Sequence, residues 1–183
     1  IGPAEARRLA PLLRGAHLDG AVHTTSDGVV DVHALLLYYL EGLRRGGGRL
    51  RTSCPVVEIE RRADRVVAVR TPTERIEASR IVDATGAWAG RLVPSPLPLA
   101  AWRRHLFLTG PSGRSDSARP WVWDESVPYY VRPEAGRWLV SACDEDPHPA
   151  APSPGVDPSA AERLAVRLLA RLPAARRFSI ERS

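Results

Sequence analysis

The segment formed by residues 80–90 constrains the fold of this chain most, because it joins a β-branched apolar run directly to a glycine-containing turn. It reads Arg-Ile-Val-Asp-Ala-Thr-Gly-Ala-Trp-Ala-Gly. β-Branched residues favour a buried strand, and glycines let backbone pass close to another group. Ligands of open α/β sheets bind beyond the carboxyl ends of strands, so the pattern predicts a strand that ends at a candidate cofactor wall. An ordinary strand-to-helix turn with a core tryptophan fits the local pattern as well.

The composition is that of a globular chain. Of its 183 residues, 44% are hydrophobic and 26% are charged, which is enough for one sizeable core or parts of two. The formal net charge is +5, but the Lys and Arg positions are all arginines interleaved with carboxylates, so we expect no nucleic-acid partner. No apolar run approaches the length of a membrane span and no charged-then-apolar leader is present, which predicts a soluble, cytoplasmic protein.

The potential metal ligands lack the spacing of a metal site. Cys54 and Cys143 are far apart in the chain and are expected to be reduced, partly buried thiols, and no two histidines fall at metal spacing. The acidic run Asp144-Glu145-Asp146 follows a predicted strand, and we interpret it as a solvated turn rather than a cation site. We therefore predict no metal site, and the absence of a nucleophile turn argues against a hydrolase.

The first half of the chain combines helices with short alternating strands. Residues 3–14 carry apolar side chains at helical spacing, and Pro11 ends that helix in a turn. A longer amphipathic helix follows Asp31, a good N-cap, and stops at Gly46 after two arginines that suit its carboxyl end. Its apolar face consists of Val32, Leu35, Leu36, Tyr39, Leu40 and Leu43. Strands are then predicted over 49–53, 56–62, 65–71 and 74–78, with a hairpin turn at residues 63–64.

A proline-rich crossing separates this region from a second series of strands. Pro94, Pro96 and Pro98 stiffen the chain, and we place a domain boundary between residues 96 and 97. After a further proline-rich connection, Ser159 is expected to cap a helix that Pro173 ends. The apolar face of that helix consists of Leu164, Ala165, Leu168, Leu169 and Leu172. Antiparallel strands are predicted over 104–109, 121–123, 129–132 and 138–143, with another beginning at residue 178.

The order of these motifs resembles one known family. The series consists of Asp27-Gly28-Val29-Val30-Asp31, the glycine-ended amphipathic helix, Cys54-Pro55-Val56-Val57-Glu58-Ile59, the segment 81–90 and Tyr130-Val131-Arg132-Pro133. It is similar to the middle of a D-amino-acid oxidase-type FAD-dependent oxidoreductase, and its pattern is most similar to the glycine oxidase and sarcosine oxidase branch. The resemblance covers the chain from about residue 20 onward.

The resemblance implies an α/β (α+β) fold with two domains. Residues 1–96 would form a partial FAD/NAD(P)-binding domain with an inserted antiparallel meander and some substrate-domain elements at its start. Residues 97–183 would form a truncated antiparallel sheet domain, with one helix, that binds substrate.

The resemblance also implies FAD as the cofactor and a set of site residues. Val56 would lie against the adenine moiety, and the cofactor would pass close to Thr85, Gly86, Ala87 and Trp88. Tyr130 falls where the family places a tyrosine near the substrate carboxylate. Arg132 shares a strand face with Tyr130 and is a candidate for bidentate carboxylate binding, with a surface ion pair as the alternative.

Three features set the chain apart from the complete family pattern. It lacks the amino-terminal Gly-x-Gly-x-x-Gly that holds the pyrophosphate, and it ends before the family's second glycine-rich cofactor loop. It also begins with Ile1 and contains no methionine. We therefore expect an internal segment of a longer protein that is inactive by itself.

The expected function is that of the longer protein. We expect it to oxidise a small amine, either an amino acid or an N-methyl amino acid, by hydride transfer to flavin N5, so that no catalytic acid or base is assigned. One alternative is an FAD-dependent dehydrogenase of 2-hydroxy acids or glycerol phosphate. The other is a non-catalytic interaction module, or a decayed remnant without cofactor.

Overall fold

The chain forms two compact units. The computed structural model describes residues 1–92, 99–111, 118–147 and 155–182, so the prolines of the predicted domain boundary lie outside the described residues. The central unit is Thr25–Ala100, and the discontinuous unit is Ile1–Thr24 together with Ala101–Ser183. The first segment of the chain therefore belongs with the second half rather than with its sequence neighbours. The roles of the two predicted domains stay predictions.

The chain combines helices with antiparallel strands, which confirms the predicted α/β (α+β) class. The helices are α1 (Pro3–Leu9), α2 (Val32–Arg45) and α3 (Ala160–Arg171), with short 3-10 helices at Pro11–Leu13, Gly86–Trp88 and Pro173–Arg177. The strands are β1 (Glu58–Arg62), β2 (Arg65–Arg70), β3 (Arg75–Glu77), β4 (Trp102–Arg103), β5 (Phe107–Thr109), β6 (Val122–Asp124), β7 (Tyr129–Glu134), β8 (Arg137–Ser141), β9 (Asp146–Pro147) and β10 (Ile180–Arg182).

The central unit contains α2 and a three-stranded antiparallel meander of order β1-β2-β3. The meander confirms three of the predicted strands and the hairpin turn between the first two, where Ala63 adopts a positive φ of 50°. The register of β1 and β2 shifts between Glu60 and Arg61. Among the described residues of this unit, only Ala68 and Thr71 are buried. The meander therefore has very little core of its own.

Helix α2 forms where the sequence predicts it. The Asp31 carboxylate accepts a hydrogen bond from the N–H of Ala34 at 2.9 Å, and Gly46 follows the last helical residue. No residue of α2 is buried, and Leu36 and Tyr39 on its apolar face are 53% and 65% exposed. The amphipathic helix is confirmed, but no described residue covers its apolar face.

Two strands predicted for the central unit are wrong. Residues 49–53 and 80–84 are irregular, and Val82 is 88% exposed instead of buried. A strand is stable only where its N–H and C=O groups find a neighbouring strand. No described strand pairs with either segment. Of the segment 80–90, only the predicted turn is confirmed, as the 3-10 helix Gly86–Trp88.

The discontinuous unit is built on a five-stranded sheet of order β10-β5-β8-β7-β6. Every neighbouring pair is antiparallel, as predicted. Strands β4 and β9 pair separately. Alternate side chains point to opposite faces of a sheet, and one face is buried through Phe107, Tyr129, Val131, Trp138 and Val140. These residues form one core with Ala6 and Ala10 near α1, with Leu13, and with Leu164, Leu168 and Leu172 at α3.

The start and the exposed side of α3 differ from the prediction. Ser159 has helical backbone angles (φ −80°, ψ −8°) and its side chain makes no capping hydrogen bond, so its predicted capping role is wrong. Instead, Asp157 accepts hydrogen bonds from both the N–H and the hydroxyl of Ser159, each at 2.9 Å. Leu169 is 48% exposed, because the buried stripe of α3 is narrower than the predicted apolar face.

Within the described ranges, no helix is both long and apolar enough to cross a bilayer.

Candidate functional site

The open face of the five-stranded sheet carries the predicted substrate-binding residues. Tyr130 and Arg132 lie two positions apart on β7, so both side chains belong to the face opposite the core. The Tyr130 ring lies 6.2 Å from the Trp121 ring at 75°, and 5.8 Å from the Trp123 ring at 41°. Trp123 is also the register partner of Tyr130 across β6 and β7. The sheet thus displays a phenol flanked by two indole rings.

The Tyr130 hydroxyl is held in its neutral form. Burial raises the pKa of Tyr130 above its usual value, and the neighbouring Cys143 acts in the same direction. Arg132 and Arg104 oppose this shift without reversing it. Because the hydroxyl keeps its proton at neutral pH, it is a hydrogen-bond donor for a carboxylate.

Arg132 makes the ion pair that the sequence left open as the alternative. Its guanidinium lies 2.8 Å from the Glu134 carboxylate, and 21% of the Arg132 side chain is exposed. This contact uses one of the five N–H donors of the guanidinium. A carboxylate ligand at Arg132 would therefore share the guanidinium with Glu134 rather than meet an isolated cation.

The predicted cofactor-binding residues all lie in the central unit. Val56 is half-buried just before β1, next to a cavity of about 370 Å³ that Cys54 and Pro55 line but Val56 does not. Thr85 immediately precedes the 3-10 helix that contains Gly86, Ala87 and Trp88. All four residues from Thr85 to Trp88 are exposed.

The turn before that 3-10 helix is fixed by one carboxylate. Asp83 accepts hydrogen bonds from the Thr85 N–H at 3.0 Å and from the Thr85 hydroxyl at 2.6 Å. The hydroxyl contact, followed by the backbone contact, lowers the pKa of Asp83 below its usual value. The sequence Asp-x-Thr is a local turn signal that identifies this contact without the tertiary structure.

Gly86 lies in an exposed turn and has a left-handed backbone conformation. Gly86 has φ of +59°, and a Cβ placed there would meet no atom within 4 Å. Its surroundings include exposed apolar side chains, with Val82 88% and Trp88 37% exposed. The backbone is thus open in front of the glycine, and apolar surface is available beside it. The assignment of Val56 and of Thr85 through Trp88 to a cofactor site stays a prediction.

The sequence failed to indicate a buried polar network around His105 in the discontinuous unit. His105 and Asp144 are only 6% and 4% exposed. The Asp144 carboxylate contacts His105 Nδ1 through one oxygen and accepts the His105 N–H at 3.0 Å through the other. His105 Nε2 accepts the N–H of Asp157 at 3.0 Å. The interpretation of Asp144 as part of a solvated turn is therefore wrong.

The same network brings potential metal ligands together, although their sequence spacing gave no such signal. Ligand atoms of His105, Asp144 and Asp146 lie within 4.8 Å of one another. The Arg163 guanidinium lies 3.0 Å from Asp146 and 3.7 Å from Asp144. The Arg163 guanidinium therefore already pairs with the carboxylates of Asp144 and Asp146. Both nitrogens of the His105 ring also have protein partners. The arrangement ties the start of α3 to the sheet.

Comparison with known proteins defines the class. The family described as DAO, FAD dependent oxidoreductase, matches residues 1–183. The chain belongs to this family.

Individual relatives match this chain at low sequence identity. Human mitochondrial dimethylglycine dehydrogenase is 27% identical over 140 residues, which are 73% of this chain and 16% of that protein. The structure of L-proline dehydrogenase from P. horikoshii superimposes with a TM-score of 0.83 at 18% identity, over 100% of this chain and 50% of that one. Glycine oxidase from Bacillus cereus gives a TM-score of 0.73 at 19% identity, over 99% and 49% of the two chains. The chain thus spans about half the length of these solved relatives.

Proposed function

We propose that the protein carrying this chain is an FAD-dependent oxidoreductase that oxidises an amino acid or N-methyl amino acid. The observation that carries the proposal is the open sheet face, where a neutral phenol and a guanidinium project from the same strand. Membership of the FAD dependent oxidoreductase family supports it. We also propose that the central unit belongs to the cofactor-binding part and the discontinuous unit to the substrate-binding part. The cytoplasmic location stays a prediction, and the name of the human relative places that protein in the mitochondrion.

The residues of the open face have distinct roles in this proposal. The Tyr130 hydroxyl donates a hydrogen bond to the substrate carboxylate, and Arg132 adds a charge-assisted contact. The rings of Trp121 and Trp123 keep water from one side of the bound amine. Together these groups orient the substrate α-carbon.

The central unit would position the cofactor. FAD, when bound, supplies the hydride acceptor at flavin N5. Thr85 through Trp88 offer it an exposed backbone turn whose left-handed Gly86 leaves room for close approach. Asp83 fixes that turn through its two hydrogen bonds to Thr85.

The test uses the protein at its full natural length. The purified protein should show a flavin spectrum that N,N-dimethylglycine, sarcosine, L-proline or glycine bleaches without oxygen. Colourless protein, or a flavin that none of these amines bleaches, would contradict the proposed function.

A pair of tyrosine variants tests the role of Tyr130. Tyr130→Phe should raise KM for the carboxylate substrate and leave flavin content unchanged, because only a hydrogen-bond donor is lost. Tyr129→Phe is the matched control, since Tyr129 lies on the opposite face and is 1% exposed. Equal effects on KM in the two variants would show that Tyr130 has no contact with substrate.

A further inference from the structure

The two tryptophans beside Tyr130 suggest how the site chooses among amines. Trp121 and Trp123 are two positions apart, and they are 42% and 50% exposed although the opposite sheet face is closely buried. Indole rings in contact with a partly buried phenol form a continuous apolar surface, and exposed apolar surface of this kind marks a candidate binding site.

We propose that Trp121 and Trp123 select the nitrogen substituents of the substrate, favouring N-alkylated amino acids over glycine. This inference rests on the proposed function, because it assigns a specificity to the same open face. The occupant of the tryptophan surface is the alkylated amine of a zwitterionic amino acid.

Charge complementarity supports this occupant. A zwitterionic N-alkyl amino acid has a carboxylate at one end, which suits the Arg132 guanidinium and the Tyr130 hydroxyl. Its other end is a cation whose charge is spread over alkyl groups, and the faces of indole rings attract such cations. Indole is the strongest of the aromatic side chains in this respect, so two of them beside Tyr130 match an alkylammonium group.

The two arginines that act on Tyr130 are each paired with a carboxylate. Glu134 is paired with Arg132 at 2.8 Å, and Arg104 is paired with Glu145 at 2.7 Å. Burial raises the pKa of the half-buried Cys143 thiol, so this residue adds no thiolate at neutral pH. Apolar and π contacts therefore dominate recognition of the amine. Each methyl group placed against the rings should improve binding about four-fold.

The experiment measures flavin reduction in the full-length protein with three substrates. These are N,N-dimethylglycine, L-proline and glycine, which carry tertiary, secondary and primary amines. Wild type should show a higher kcat/KM for the first two than for glycine. In the double variant Trp121→Ala with Trp123→Ala, the ratio of kcat/KM for N,N-dimethylglycine to that for glycine should fall about fifteen-fold, because two methyl contacts are lost.

Two further variants separate recognition from a general loss of structure. Trp102→Ala is the matched control, because Trp102 is 56% exposed and belongs to the separate β4–β9 pair; its substrate ratio should equal that of wild type. Trp123→Phe keeps an aromatic face and should hold the ratio within about three-fold of wild type. If the double variant does not fold, a single Trp123→Leu variant should still lower the ratio, since it removes the aromatic face.

The outcomes distinguish this inference from the proposed function. A wild-type flavin that none of the three amines reduces would overturn both. A reducible flavin whose substrate ratio is the same in wild type and in the tryptophan variants would overturn the selectivity alone. The selectivity alone would also be overturned if Trp102→Ala changed the substrate ratio as much as the double variant does.

Discussion

The two units of this chain differ in how much of their apolar surface is covered. In the discontinuous unit, Phe107, Val131 and Leu164 are at most 2% exposed and belong to one core. In the central unit, α2 has no buried residue, and Leu36 is 53% exposed. Helix α2 of the central unit and helix α3 of the discontinuous unit are both amphipathic. The difference shows that a helix forms from local signals, whereas its contribution to stability depends on a partner surface.

The two units also differ in how deeply their charged side-chain pairs are buried. His105 and Asp144 form a buried pair in the discontinuous unit, at 5% and 3% side-chain exposure. The pair of Arg75 and Glu60 in the central unit is 40% and 22% exposed. Solvent and salt weaken exposed pairs, while a buried pair that loses one member leaves an uncompensated charge.

The largest expected difference concerns the hydrophobic cores. In the 183-residue chain, Leu164→Ala should lower the free energy of unfolding by about 2 to 5 kcal/mol, because it leaves a cavity in the core. Leu36→Ala is the matched change on α2 and should stay within about 0.5 kcal/mol of wild type. Urea denaturation followed by tryptophan fluorescence measures both. Equal losses would mean that α2 is covered in solution.

The buried pair should have the next largest effect. His105→Ala removes the partner of Asp144 and the acceptor of the Asp157 N–H, and should cost about 1.5 to 3 kcal/mol of unfolding free energy. Arg75→Ala breaks an exposed pair of the central unit and should change stability little. A similar loss in the two variants would refute the contrast between buried and exposed pairs.

A smaller effect is expected at the candidate cofactor turn. Gly86→Ala places a side chain at φ +59° and should cost about 1 kcal/mol through backbone strain. Gly28→Ala is the control, because its Cβ also meets nothing within 4 Å and its φ is not left-handed. In the full-length protein, the larger Gly86→Val change should also lower the flavin content per protein. Unchanged flavin content would remove Gly86 from the cofactor site.

The smallest effect is the acid sensitivity of a single carboxylate. The Arg163 guanidinium, followed by the Ser159 N–H and hydroxyl, lowers the pKa of Asp157 well below its usual value. A carboxyl with a lowered folded pKa adds stability that is complete above its unfolded pKa of about 4 and is lost as the pH falls below it. Stability should therefore decrease on acidification from about pH 5 toward pH 2.

Two variants check that acid response. Asp157→Asn should reduce the dependence of unfolding free energy on pH, because one of the carboxyls with a lowered pKa is gone. Ser159→Ala should flatten it less, since it removes only the hydroxyl donor and leaves the N–H contact. Identical pH profiles in wild type and Asp157→Asn would exclude Asp157 as the source.

The sequence predicted a helix or strand well where the signal for it lies within that element or at its ends. The cap at Asp31 and the arginines before Gly46 located α2, and alternation located the first two strands of the meander. The prediction failed where the structure of a segment depends on contact with another segment of the chain. The apolar run before Gly86 is irregular because no described strand lies beside it. Asp144 is buried because His105, distant in sequence, lies next to it.

The sequence by itself determined the helices, most of the strands, the family pattern and the shared face of Tyr130 and Arg132. Each of these depends on spacing along the chain, which is visible in the order of residues. Only the tertiary structure decided that Trp121 and Trp123 flank Tyr130 and that His105 meets Asp144. These facts depend on contacts between segments far apart in sequence, and periodicity carries no information about which segments meet.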